Sequence, residues 1–283
     1  MRIDVLTLFP EMFASVLGTS ILKRAADPSL YPPANPSSQP GSETSGESSG
    51  EISGESSGKT SGGAPVGYHL HNIRQFSLDK HDKVDRPPFG GGPGMVIQCQ
   101  PVWDAVQAVT AADSRPVTRI VMSPQGQRLT QPLVEQLAKQ PRLMILCGHY
   151  EGFDQRVLDA LEPILHISIG DYVLTSGELA AMVLIDSVVR LIPGVLGDDA
   201  SAEHESFSSG AAGLLDYPHY TRPRVWMDRE VPPVLLGGNH AEILKWRLAQ
   251  ARTRTETLRP DLLTGPLQKR DDDTASPSQQ EQP

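Results

Sequence analysis

Cysteine is nearly absent: Cys99 and Cys147 are the only two in 283 residues, and each sits in an apolar stretch without a second Cys or a His at metal-ligand spacing. A disulfide framework and a zinc site are the poorer readings, and free thiols in a reducing compartment the better one. Long hydrophobic runs are missing as well, since no apolar stretch approaches the roughly 18 residues that span a bilayer. The first residues, Met1-Arg2-Ile3-Asp4-Val5-Leu6-Thr7-Leu8, lack the apolar core and small-residue cleavage site of a secretion signal and read as a strand. The expectation is a soluble, cytoplasmic protein with no membrane contact. Positive charge is also short, with a formal net charge of -9. That deficit speaks against a nucleic-acid partner until it is localised, because cations supply most non-specific affinity for phosphate.

The deficit is concentrated in two biased segments. From about Pro32 to Pro65 the chain is Pro-rich and then Ser/Gly/Glu-rich, with Glu43, Glu47, Glu51 and Glu55 four apart. Such a stretch has too little apolar surface to offset its ordering entropy, so a disordered insertion at about 32–65 is expected. The piece from Asp271 to Pro283 is a polar acidic tail of the same kind. Together they hold eight acids against Lys59, so seven of the nine net negative charges lie there. Between Arg224 and Arg270, by contrast, nine Lys and Arg stand against five acids. A basic C-terminal domain that touches an RNA backbone and an ordinary solvated helical face both fit that excess.

Short aliphatic runs at Ile3–Leu8, Arg119–Met122, Leu143–Cys147 and Ile164–Ile169 read as buried parallel strands. Helix signals alternate with them. Pro10 suits the first turn of a helix reaching Arg24, Thr130 and Pro132 open Leu133–Lys139, and Thr175 with Glu178 forms a capping box ahead of Leu179–Leu191. Alternation of this kind gives an α/β fold. Residues 198–222 are polar and Gly-rich, which reads as a flexible linker, and Asn239–Leu248 reads as a capped amphipathic helix in a small, mostly helical second domain at 223–270.

Three glycine-bearing turns adjoin the strands, where α/β proteins place ligands. Pro87-Pro88-Phe89-Gly90-Gly91-Gly92-Pro93-Gly94-Met95 lacks the Gly-Lys-Ser/Thr of a phosphate loop and is a tight crossing or a site of close backbone approach. Gly148-His149-Tyr150-Glu151-Gly152 and Gly170-Asp171-Tyr172-Val173-Leu174 follow strands directly, so each is a plain connection or a set of backbone groups able to read an adenine edge. Arg190 interrupts an apolar helix near its end, where it compensates the helix dipole or donates to an oxygen that gains charge in a reaction. Glu203, Glu205 and Asp216 are solvated loop charges or candidate bases.

The order of several segments resembles the bacterial tRNA (guanine-N1) methyltransferases of the SPOUT class, the TrmD family. Those segments are Leu8-Phe9-Pro10-Glu11-Met12-Phe13, the Gly90–Gly94 loop, Ser123-Pro124-Gln125-Gly126, Cys147–Gly152, Ile169–Leu174, Ile192-Pro193-Gly194-Val195-Leu196-Gly197, Pro218-His219-Tyr220-Thr221-Arg222-Pro223 and Gly238-Asn239-His240-Ala241-Glu242. The resemblance implies a SPOUT-type domain at 1–197, a knotted parallel sheet with helices on both faces. It implies S-adenosylmethionine as methyl donor, held largely by backbone at Pro124, Gly148, Ile169, Gly170, Asp171, Tyr172, Val173 and Leu174. It further implies tRNA as substrate, methylated on N1 of the guanosine 3′ of the anticodon, and a homodimer whose linker and C-terminal domain close over the partner's donor. Arg190 matches the family's catalytic Arg, while Glu205 stands before Ser206-Phe207 where the family carries an Asp, so Glu205 is the expected base and Asp216 the fallback. His149 and Ala180 stand where an Arg and a Pro are frequent. A methyltransferase acting on ribose or ribosomal RNA, and a non-catalytic RNA-binding relative, are the competing readings.

Overall fold

A computed structural model of the chain describes residues 1–31, 63–197 and 205–264. The expected insertion up to residue 62, the first part of the expected linker and the acidic tail lie outside the described residues. Contacts divide the chain into two units, Met1–Leu196 and the residues from Gly197 onward.

The first unit is built on five parallel strands: β1 (Arg2–Thr7), β2 (Gly67–Asn72), β5 (Thr118–Arg128), β6 (Arg142–Cys147) and β7 (Leu165–Ser168), in the order β2-β1-β6-β5-β7. Two residues each in β3 (Asp85–Arg86) and β4 (Val96–Ile97) pair antiparallel beside it. Strand side chains alternate between faces. Ile3, Val5, Ile120, Leu143 and Ile145 therefore enter one core, under α2 (Ser20–Ala25), α4 (Gln131–Ala138) and α6 (Glu178–Val189), which contribute Leu22, Val134, Ile185 and Val188. Leu6, Val121, Met144 and Leu146 enter the other, under α3 (Cys99–Ala111) and α5 (Gln155–Ala160) through Val102, Val106 and Val157. Burial on both faces is what lets the central stretches Val5–Leu6, Ile120–Met122 and Leu143–Cys147 be continuously apolar, as the expected α/β class requires.

Two expectations fail locally. The helix read from Pro10 to Arg24 is instead a 3-10 turn at Pro10–Phe13, a short α1 (Ala14–Leu17) and then α2. Gly18 ends α1 and Thr19 is extended (φ -134°, ψ 151°), which breaks the hydrogen-bond ladder between them. The capping box at Thr175 and Glu178 is not formed: the residue before α6 is Gly177, and no side chain caps it. Gly177 lies so close to the 147–148 backbone that a Cβ would stand 3.0 Å from Cys147 Cα, and Ser176 is bridged to His149. The segment before α6 is thus held against the 147–149 turn. Glu178 is fully buried and accepts a 2.5 Å hydrogen bond from Thr7 Oγ1.

At the amino-terminal edge of the sheet Asp4 and Arg142 are both fully buried. Arg142 Nε donates to Asp4 Oδ2 at 2.8 Å, and its other nitrogens donate to the Val109, Thr110 and Asp113 carbonyls at the end of α3. A buried cation satisfying orphan carbonyls at a helix C-terminus is favourable on both counts.

The second unit holds a hairpin of β8 (Val225–Trp226) and β9 (Arg229–Glu230), a 3-10 turn at Pro233–Leu236 and α7 (His240–Leu258). The Asn239 side chain accepts from Glu242 N, so the expected cap is present. Its interior is small: Ala251 and Thr255 of α7 are buried, and Thr255 Oγ1 accepts from Leu215 N at 3.0 Å.

Candidate active site

The register break of β5 and the loops that follow β6 and β7 come together around a cavity of about 380 Å³. This is the carboxyl edge of the sheet, and the volume lies within the usual range for small-molecule sites, about 300–1,000 Å³. From β5 come Met122, Ser123, Pro124 and Gln125; from beyond β6 come Gly148, Tyr150, Glu151 and Gly152; from beyond β7 come Ile169, Gly170, Tyr172, Val173 and Leu174. Val121, Leu158, Ile167 and Ala180 add apolar wall.

Glycine is required where these loops cross. β5 slips register between Met122 and Gln127, and Gly126 comes so close to β7 that a Cβ would lie 2.4 Å from the His166 carbonyl carbon. At Gly152 the backbone is left-handed (φ +92°), and open space stands where a Cβ would be. Gly177 N donates to Gly148 O at 2.8 Å, which ties the start of α6 to the turn after β6. Ser168 Oγ both donates to Gly170 O and accepts from Gly170 N, closing the turn after β7.

Seven residues expected to bind the donor, Pro124, Gly148, Ile169, Gly170, Tyr172, Val173 and Leu174, line this one cavity. Asp171 does not. Its carboxylate is largely exposed and pairs with Arg128 at 2.6 Å. Sequence reading passed over Glu151, the single acid lining the cavity among the described residues, and Tyr150 and Gln155, which also line it. Glu151 lay within the quoted Gly148–Gly152 turn, and a carboxylate amid glycines after a strand was the available signal.

Arg190 is half-buried and stands at the C-terminus of α6, where its N–H donates to Asp186 O at 3.3 Å. Glu205 belongs to the second unit, half-buried, with its carbonyl accepting from Ser208 N. Asp216, in the same unit, spends its carboxylate on its own turn: Oδ1 accepts from Tyr217 N at 2.7 Å and Oδ2 lies 2.8 Å from His219 Nε2. Both cysteines are free thiols. Cys147 is buried, and burial first, then the nearby Glu178, pushes its thiol well up; Cys99 is half-buried.

His149 is wedged between aromatic rings, 5.0 Å from Phe9 and 4.4 Å from Tyr150. Its buried Nδ1 and the buried Glu178 Oε2 have no hydrogen-bond partner among the described residues.

The sequence profile of the family described as tRNA (Guanine-1)-methyltransferase TrmD matches residues 56–265. Relatives named tRNA (guanine-N(1)-)-methyltransferase include one from Dehalococcoides mccartyi, 48% identical over 93% of this chain and 90% of its own. One from Chloroflexus aurantiacus is 47% identical over 93% of this chain and 88% of its own, and one from Shouchella clausii is 45% identical over 94% and 92%. A profile matching well over half the residues and near-full-length relatives at such identity leave one conclusion: the chain belongs to the TrmD family of tRNA (guanine-1)-methyltransferases.

Proposed function

We propose that this protein transfers a methyl group from S-adenosylmethionine to N1 of guanosine 37 of tRNA, immediately 3′ of the anticodon. The observation that carries the reading is the convergence of seven expected donor-binding residues on one cavity at the carboxyl edge of the sheet. The cavity fits the donor on size, on apolar wall for a purine face, and on backbone exposed by Gly148, Gly152 and Gly170. When bound, S-adenosylmethionine supplies a methyl group on a positively charged sulfur.

The residues of the chain then have distinct tasks. N1 of guanine carries a proton and must lose it as its lone pair forms the N–CH3 bond and the S–CH3 bond breaks. Glu205 accepts that proton, and Arg190 donates to O6, where the charge delocalises. Asp216 is the fallback, because Glu205 alone stands before Ser206-Phe207, the position that matches the family pattern. Glu205 belongs to the second unit and Arg190 to the first. In a homodimer the second unit of one protomer would serve the cavity of the other. An apolar stripe supports that assembly: Leu179 and Val183 of α6 are 47% and 49% exposed, and Met12, from the turn packed on α6, is 37% exposed. A chain threaded as a trefoil knot belongs to the same reading. We place the enzyme in the cytoplasm, where its RNA substrate resides; among the described residues no helix is long and apolar enough to cross a membrane.

Methyl transfer from labelled donor to a tRNA transcript tests the reading. Label is expected on a transcript with G37 and not on one with A37; equal labelling of both would overturn the site of attack.

A further inference from the structure

One side chain outside the cavity stands clear of the other described residues. Phe89 is 99% exposed, an unusual state for an aromatic ring. It tops the loop between β3 and β4, and Gly90, Gly91, Gly92 and Gly94 after it all have left-handed backbone. The foot of this loop is fixed to the cavity wall. Glu151 N donates to Met95 O at 3.0 Å and Ile97 N donates to Gly152 O at 2.9 Å. Gly94 approaches the Glu151 side chain so closely that a Cβ there would overlap it. The ring thus stands on a loop anchored beside the cavity's carboxylate.

Its surroundings restrict what it can bind. Gly90, Gly91 and Gly92, which follow the ring in sequence, carry no side chain, and a Cβ at each would meet nothing within 4 Å, so this part of the loop faces open space. A protein partner buries a contiguous patch, whereas a single exposed ring suits one flat aromatic face. At the foot of the same hairpin a cleft is lined by Lys83, Arg86, Gln98 and Asp79 together with the exposed Leu78. Arg86 is 3.4 Å from Asp79, a long and exposed pair that a phosphate can displace. Exposed aromatic plus nearby cation is the recognition chemistry of single-stranded nucleic acid.

We propose that Phe89 is a stacking platform for one unpaired base of the RNA substrate, with the Lys83–Arg86 cleft taking an adjoining phosphate. The inference rests on the tRNA reading above and adds to it the contact that seats the anticodon loop. Phe89→Ala, Phe89→Leu and Phe89→Trp, made in the full chain, test it through KM for tRNA, filter-binding Kd for the transcript, calorimetric Kd for S-adenosylmethionine, and sedimentation. Ala and Leu are expected to raise KM and Kd for tRNA about tenfold, the loss of one base–aromatic stack, and Trp to restore both. Donor affinity and sedimentation should not change. An unaltered tRNA Kd in Phe89→Ala overturns the proposal; so does rescue by Leu, which marks a generic apolar contact, weakened donor binding, which marks closure over the cavity, or altered sedimentation, which marks a contact between copies. Wild-type chain that binds tRNA but transfers no methyl would sink the functional reading alone, and the ranking of tRNA Kd values would still decide the role of Phe89.

Discussion

Arg190 and Glu205 carry the two halves of the proposed proton and charge transfer, and substitution separates them. Arg190→Ala is expected to lower the single-turnover rate by about 10²–10³, the usual cost of a lost oxyanion donor, with donor affinity kept. Glu205→Gln should lower it by about 10²–10⁴ while Asp216→Asn keeps most activity. The reverse ranking in rapid-quench assays would make Asp216 the base. Gly126 is decisive in another way: an added methyl group would collide with the backbone of His166, so Gly126→Ala should lose both folding yield and donor binding, read by calorimetry. These residues were legible unequally. Gly148, Gly170 and their neighbours announced themselves by standing after apolar strands, but nothing local in sequence shows that Gly126 crosses β7, because that contact is made across the sheet.

Among the elements, the start of α6 departs furthest from its sequence signals. Thr7 on β1 donates to Glu178, 171 residues away in sequence, and no local pattern encodes that pairing. Thr7→Val should cost about 1–3 kcal/mol, because a buried carboxylate loses its donor; urea midpoints would measure it, and an unchanged midpoint would show that the bond is dispensable. α3 was missed although its signal was present: Val102, Ala105, Val106 and Val109 repeat at helical spacing, and Pro101 sits in the first turn. β2 was hidden for a physical reason. As a sheet-edge strand reading Gly-Tyr-His-Leu-His-Asn it is only partly covered, so its pattern resembles a loop.

Across the whole molecule, stability is tied to the ion cluster at the amino-terminal edge of the sheet. Burial raises the Asp4 carboxyl, and hydrogen bonds from His71, Arg2 and Arg142 more than reverse this and hold it well below its ordinary value. Since the unfolded chain then binds the proton more readily, the stabilisation is complete above about pH 5 and is lost as pH falls through about 4 and lower. Asp113, bonded to Arg115, and Asp154, bonded to Arg156, act in the same direction. Unfolding free energy should therefore drop with acid, and Asp4→Asn should flatten the curve. Arg142→Leu strips the buried carboxylate of a partner and should cost about 3–5 kcal/mol at neutral pH. Tyr31 O accepts from Gly63 N at 3.1 Å, so the chain on either side of residues 32–62 is already joined. Replacing that segment by a short connection should leave the unfolding midpoint and activity near those of the full chain. The two-unit division and the charge imbalance could be sensed from composition; the meeting of β5 with the loops after β6 and β7 at one cavity could not, because it depends on strand order.

The central claim is that this cavity and these side chains direct a methyl group to one ring nitrogen of one nucleotide. Mass spectrometry of nucleosides and mapped fragments, after the chain has acted on unmodified tRNA with S-adenosylmethionine, tests it most directly. The expected product is 1-methylguanosine confined to position 37; a ribose-methylated nucleoside, another methylated base, or tRNA left unmodified would contradict it.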